Sequence, residues 1–237
     1  MEQDLWMLAG TAGAIGMLHT VLGPDHYVPF IMMRRAQKWS GIKTAIITLL
    51  CGLGHVTGSF VLGAVGIAFG LGLTQLEFVE SIRGGLGAWL LIGFGLAYLV
   101  WGLRQAWKNR PHRHWHTHGD GVVHNHDHTH QGTHAHVHER QGASSVTPWF
   151  LFVIFVLGPC EALIPMFMYP AYEMSLVGVG VVSVVFSTAT IGTMLFMVVA
   201  LDLGFDRLKL GRFERYGHAV AGAAIVVCGS AIMFLAA

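Results

Sequence analysis

The chain has 237 residues, 54% of them hydrophobic and only 11% charged, with 14 Lys and Arg against 13 Asp and Glu. The charged share is roughly half that of a typical water-soluble domain, and the mean hydropathy is +0.57, so the composition specifies a polytopic membrane protein. A net charge of +1 offers no basic surface to nucleic acid, and three widely spaced cysteines in apolar surroundings, Cys51, Cys160 and Cys228, argue against a disulfide framework.

A hydrocarbon core takes about 20 apolar residues per helix. The first such run is Leu5 to Leu22; Glu2 and Asp4 precede it without a basic stretch, so it reads as a retained span and not a cleaved leader. A second runs from Thr44 to Gln75, uncharged throughout and Gly-rich at its end, and a third from Gly84 to Leu103. The segment from Arg104 to about Thr147 is polar. Pro148 to Tyr172 forms a fourth span, interrupted by Pro159, Pro165 and Pro170; Ser175 to Leu201 is a fifth and Gly217 to Ala237 a sixth. The expected fold is therefore all-α, with six transmembrane helices.

Thirteen of the fourteen basic residues fall in alternate loops: Arg34 to Lys43, Arg104 to Arg140, and Arg207 to Arg215, with Arg83 the exception. The positive-inside rule puts these loops in the cytoplasm and both termini outside. An internal repeat follows. Val21-Leu22-Gly23-Pro24 recurs 135 residues later as Val156-Leu157-Gly158-Pro159, trailed in one copy by Asp25-His26 and in the other by Cys160-Glu161. The same offset carries His55 onto Thr190. Three spans per copy make the repeats inverted, a transporter plan in which broken helices meet at the midplane. The units are 1–103, a first three-helix repeat; 104–147, a His-rich disordered cytoplasmic loop; and 148–237, the second repeat.

Ionisable side chains at membrane depth are costly and mark sites. His19, Asp25 and His26 flank the Gly23-Pro24 break, and His55 lies in the second span within Gly54-His55-Val56-Thr57-Gly58, whose glycines admit a close neighbour. Imidazole with carboxylate suits nickel, cobalt or zinc. In a continuous helix His19 and His26 would stand about 10.5 Å apart along the axis, too far for donors that sit about 2.0–2.2 Å from one ion. Either the break folds the segment back or the two histidines serve successive positions. In the second repeat, Glu161 is a candidate metal ligand or proton-coupling group, and Cys160 a candidate ligand or a small buried apolar residue. Eleven of the fifteen histidines lie between His112 and His138, a tract suited to weak, exchangeable metal binding. His218 reads as structural, Asp202 as a partner for the basic loop after it, and Trp39, Trp101, Trp107 and Trp149 as interfacial anchors.

His19…Asp25-His26, Gly54-His55 and a His-rich loop midway resemble the nickel/cobalt transporter families (NiCoT and NicO-like), which are related to six-helix LysE-type carriers. Five residues separate His19 from Asp25-His26, against four in the NiCoT signature. The resemblance implies nickel or cobalt ligation by His19, Asp25, His26 and His55 and a setting in a bacterial inner membrane; the direction of transport does not follow from it. The expected function is secondary transport of Ni²⁺ or Co²⁺, with Zn²⁺ a third candidate, by alternating access, with Cys160 and Glu161 facing the ion from the second repeat. No enzyme activity and no tightly bound cofactor are expected; the partners are the metal ion and the bilayer, with homo-oligomerisation open. No GxxxxGK[ST] loop is present, so an ion gradient or a partner must supply energy. Three readings compete: thiol-redox transfer, which needs a cysteine to meet Cys160; export of a small anion or amino acid, which needs Lys or Arg inside a span; and a metal sensor that binds without transport.

Overall fold

The computed structural model describes residues 2–108, 112–117, 123–128, 146–158, 160, 162–166, 176–205 and 215–235. Helix α1 (Glu2–Leu22) ends at Gly23, and a 3₁₀ turn (Pro24–His26) leads into α2 (Val28–Gln37). Gly23 is extended (φ −92°, ψ 91°), and Pro24 has no N–H to continue the helical ladder. The chain reverses at Lys38, which caps α2 in the left-handed region (φ 53°). Ser40 then starts α3 (Gly41–Ala68) by accepting from the Lys43 N–H at 3.2 Å. A tight turn with Gly70 at φ +65° connects to α4 (Leu73–Lys108). Past the polar segment come α5 (Val146–Leu157), a turn of helix at 163–166, α6 (Leu176–Phe205) and α7 (Gly217–Leu235).

Five of these helices are long and apolar enough to cross a membrane: α1, α3, α4, α6 and α7. The fourth expected span is different. Its helix, α5, stops at Leu157 after 12 residues, about 18 Å, short of a hydrocarbon core of about 30 Å. The expected break at Gly158-Pro159 is the physical reason; Pro159 and Pro170 themselves lie outside the described residues. The third span is longer than its apolar stretch suggests. Helix α4 begins at Leu73 rather than Gly84 and has 36 residues, because Glu80 and Arg83 are neutralised inside the protein and do not end the helix.

Polarity is inverted relative to a soluble core. Leu22, Trp89, Phe196 and Val227 are exposed, whereas Thr48, His55, Ser59, Glu80 and Thr190 are at most 2% exposed. Such an apolar outer surface is compatible with a lipid surrounding. Small residues let the backbones close. A Cβ on Gly95 would lie 2.8 Å from the Val226 nitrogen, and Gly102 and Gly222 sit against the backbones of Ala219 and Leu99, so α4 and α7 pack along a seam of glycines at seven-residue spacing. Helix α1 packs on α6, where a Cβ on Gly16 would lie 3.0 Å from the Phe186 carbonyl oxygen; α5 packs on α3, where a Cβ on Gly54 would lie 2.8 Å from the Val156 side chain. The only strands among the described residues lie in the His-rich segment, where His112–Thr117 and Val123–His128 pair antiparallel with His114 opposite His126.

Candidate metal centre

The Gly23-Pro24 break decides the geometry. With the α1 ladder ended, the 3₁₀ turn swings His26 back over the last turn of α1, and the rings of His19 and His26 meet edge-on with centroids 4.6 Å apart. Helix α3 brings His55 to the same place, 5.0 Å from His26 and 6.1 Å from His19 between centroids. One nitrogen from each of the three rings lies within 4.8 Å of the other two. Of the two sequence alternatives, the folded-back segment is the one observed.

Hydrogen bonding fixes which nitrogen is free. His55 Nδ1 lies 3.2 Å from the Phe155 carbonyl, and His26 Nδ1 lies 3.1 Å from the Gly23 carbonyl. A carbonyl only accepts, so each Nδ1 carries a proton. The two Nε2 atoms then face each other across 3.4 Å. With neutral rings, both present bare lone pairs, which is repulsive unless a proton or a metal cation sits between them. Two donors at 2.0–2.1 Å in a tetrahedral shell stand about 3.3 Å apart; this edge is already at that spacing. The third Nε2, on His19, is buried without a hydrogen-bond partner among the described residues.

Asp25 stands behind His26, with Oδ2 3.4 Å from Nδ1, outside the three-nitrogen group. A carboxylate there orients the ring and raises its basicity, the usual outer partner of a metal-bound histidine. The sequence expects it as a fourth ligand; in the structure its carboxylate lies beside the three-nitrogen group, against His26. Cys160 is fully buried, but its N–H donates to Glu80 at 2.8 Å, away from the histidine group. Glu161 lies outside the described residues. A cavity of about 20 Å³ adjoins the cluster, lined by Asp25, His55, Gly87, Leu91 and Gly158 among others, with room for about one water molecule or ion.

Two ionised clusters flank the centre. Glu80 and Arg83 pair at 2.6 Å inside α4. Sequence reasoning missed them because residues 76–83 read as loop; the i, i+3 spacing of opposite charges was the available signal. Arg83 thus lies inside a candidate span, as an anion exporter would need, but it is paired with Glu80. Asp202 is 5% exposed and pairs with Arg34 at 2.9 Å and Arg35 at 3.1 Å. Among the described residues its partners come from α2, which packs beside α6; residues 206–214 of the basic loop after it lie outside the described residues. His218 receives the Tyr98 hydroxyl at 2.7 Å against Trp101, a structural setting. Trp39, 6% exposed and donating to Gln37, is buried rather than interfacial.

Comparison of the chain with protein-family models, curated proteins and solved structures found no match.

Proposed function

We propose that this chain is a secondary carrier for a divalent transition-metal ion, with nickel or cobalt as cargo, held by Nε2 of His19, His26 and His55. The observation that carries the reading is the pair of opposed Nε2 atoms at 3.4 Å, both rings locked by carbonyls at Nδ1, beside a third buried Nε2 without a partner. Three neutral imidazoles select borderline divalent ions over magnesium or calcium, which take oxygen donors.

Transport, rather than binding alone, is supported by the way the two halves meet. Under the 135-residue offset α1 corresponds to α5 and α3 to α6, so the packing of α1 on α6 and of α5 on α3 exchange with one another, as an inverted repeat requires. Both first helices break at Gly-Pro, and both breaks touch the centre: Gly23 through His26, and Phe155 with Gly158 through His55. In this reading α5 and the chain after its break form the fourth of six crossings, the termini face outside, and rocking of one half against the other exposes the ion alternately.

The test is Ni²⁺ and Co²⁺ flux into vesicles holding the purified protein, wild type against His26→Ala and His55→Ala. Flux that is abolished in both variants is expected; flux equal to that of empty vesicles in the wild type would leave a binding protein without transport.

A further inference from the structure

One turn along α3 from His55, about 6 Å up the axis, lies a second buried polar cluster that the proposed centre does not use. Glu80 is 0% exposed, and its Oε1 accepts from Ser59 Oγ at 2.9 Å, Arg83 Nη2 at 2.6 Å and the Cys160 N–H at 2.8 Å. Its other oxygen, Oε2, is buried with no partner, and so is Arg83 Nε. A purely structural bridge of these two groups would use the guanidinium fork on both oxygens. Here three donors crowd one oxygen and leave the second bare, at the cost that an unpaired buried acceptor carries.

The surroundings of that bare oxygen have the chemistry of a cation site. Cys160 is fully buried and held against Glu80 by its own N–H, and the Gly158 carbonyl accepts from Arg83 Nη2 at 3.1 Å. Carboxylate, hydroxyl, thiol and carbonyl thus converge from both halves of the molecule. The single positive charge among them is Arg83, which also contacts Ser59. Gly158 joins this cluster to the histidines: a Cβ placed on it would lie 3.3 Å from His55 Nδ1, on the far side of the same residue whose carbonyl holds Arg83. The cavity beside Asp25 and His55 runs to Gly158 and to Gly87, one helical turn after Arg83.

We infer that Glu80, Ser59 and Cys160 form a second station for the divalent cation, and that Arg83 is the tethered cation that occupies it when the metal is elsewhere. This rests on the carrier reading for the ion's path. An ion leaving three neutral imidazoles reaches a carboxylate; Arg83, whose side chain is 14% exposed, slides its head outward along its own stem. Ligation by Cys160 releases the thiol proton to water. When the ion departs, Arg83 returns, so Glu80 is never left ionised and unpaired in apolar surroundings. The exchange weakens the second station and favours onward release.

The experiment is Co²⁺ titration of the purified full-length protein, followed by the near-ultraviolet sulfur-to-cobalt charge-transfer band. The His-rich segment contains no cysteine and is silent in that band. Arg83→Gln should show the band at a Co²⁺ concentration at least tenfold below that needed by the wild type, Arg83→Gln/Cys160→Ser should lack it, and Arg83→Gln/Glu80→Gln should need at least tenfold more metal. An Arg83→Gln protein without the band, or with one indifferent to Glu80, overturns the second station. Should Arg83→Gln not fold, Glu80→Gln/Arg83→Gln, which removes both charges together, decides the matter in vesicles: Co²⁺ flux at least tenfold below wild type is expected, and wild-type flux overturns the station while the carrier reading stands. A wild type that passes no metal sinks the carrier reading, and the band in Arg83→Gln then still decides whether this cluster binds the ion.

Discussion

Asp25→Asn separates an orienting carboxylate from a ligand. Asp25 Oδ2 is 3.4 Å from His26 Nδ1, while the Gly23 carbonyl holds the same nitrogen at 3.1 Å. The asparagine keeps the side chain's shape and removes its charge; the carbonyl still fixes the ring's tautomer. Loss of such an outer partner costs 10–100-fold in metal affinity, about 1.4–2.7 kcal/mol. Because one of the two restraints on Nδ1 survives, the expected loss is at the low end, about tenfold. His26→Ala removes a donor nitrogen outright and should exceed the roughly 100-fold reached by outer partners. Calorimetric titration with Ni²⁺ and with Co²⁺ in detergent micelles reads both, on protein lacking the His-rich segment so that weak sites do not mask the tight one. If Asp25→Asn loses binding as completely as His26→Ala, the carboxylate is itself a ligand and the orienting role is wrong.

Metal binding should weaken as pH falls, since imidazolium cannot ligate; the sign is loss toward acid, and affinity that rises on acidification contradicts a histidine site. Gly222→Val should lower the thermal midpoint in detergent by the equivalent of about 1–3 kcal/mol, because even a Cβ there meets the backbone of Leu99 and, at 2.8 Å, the Gly95 carbonyl. Gly10→Ala, with nothing within 4 Å, should leave the midpoint unchanged. Asp202→Asn takes the carboxylate charge away from Arg34 and Arg35; full burial would make that cost about 3–5 kcal/mol, but with the two arginine side chains 24% and 32% exposed about 1–3 kcal/mol is expected in the same melt. Deleting residues 112–138 should abolish weak, multi-equivalent metal binding and leave one tight equivalent, measured by equilibrium dialysis.

The sequence made the histidine centre legible because its elements are local. Gly23-Pro24 is a backbone instruction, and the distance between His19 and His26 on an unbroken helix showed what the instruction had to accomplish. The arrival of His55 could be read only in outline, from glycines that admit a close neighbour; a Cβ on Gly54 or Gly58 would indeed lie 2.8 Å from Val156 of α5. What could not be read was anything decided by a tertiary partner. Glu80 and Arg83 look like the polar edge of a loop until Ser59 and the chain around Gly158 are placed against them. The pairing of Asp202 with Arg34 and Arg35 is invisible until α2 is placed beside α6. The same blindness shortened α4, since a charge that has found its counter-ion no longer ends a helix.

The two breaks divide the labour at the centre unequally, and the inequality bears on mechanism. The first break supplies ligands: Gly23 lets His26 return to His19 and its own carbonyl then aims the ring. The second supplies restraint, since Phe155 and Gly158 hold His55 through a carbonyl and a bare Cα, while the amide of Cys160 is committed to Glu80. A movement of the second half that shifted Phe155 and Gly158 would free His55 Nδ1, turn the ring and open the 3.4 Å edge without touching His19 or His26. Ligand loss and exposure of the centre would then be one event, which is what alternating access asks of a site built between two halves.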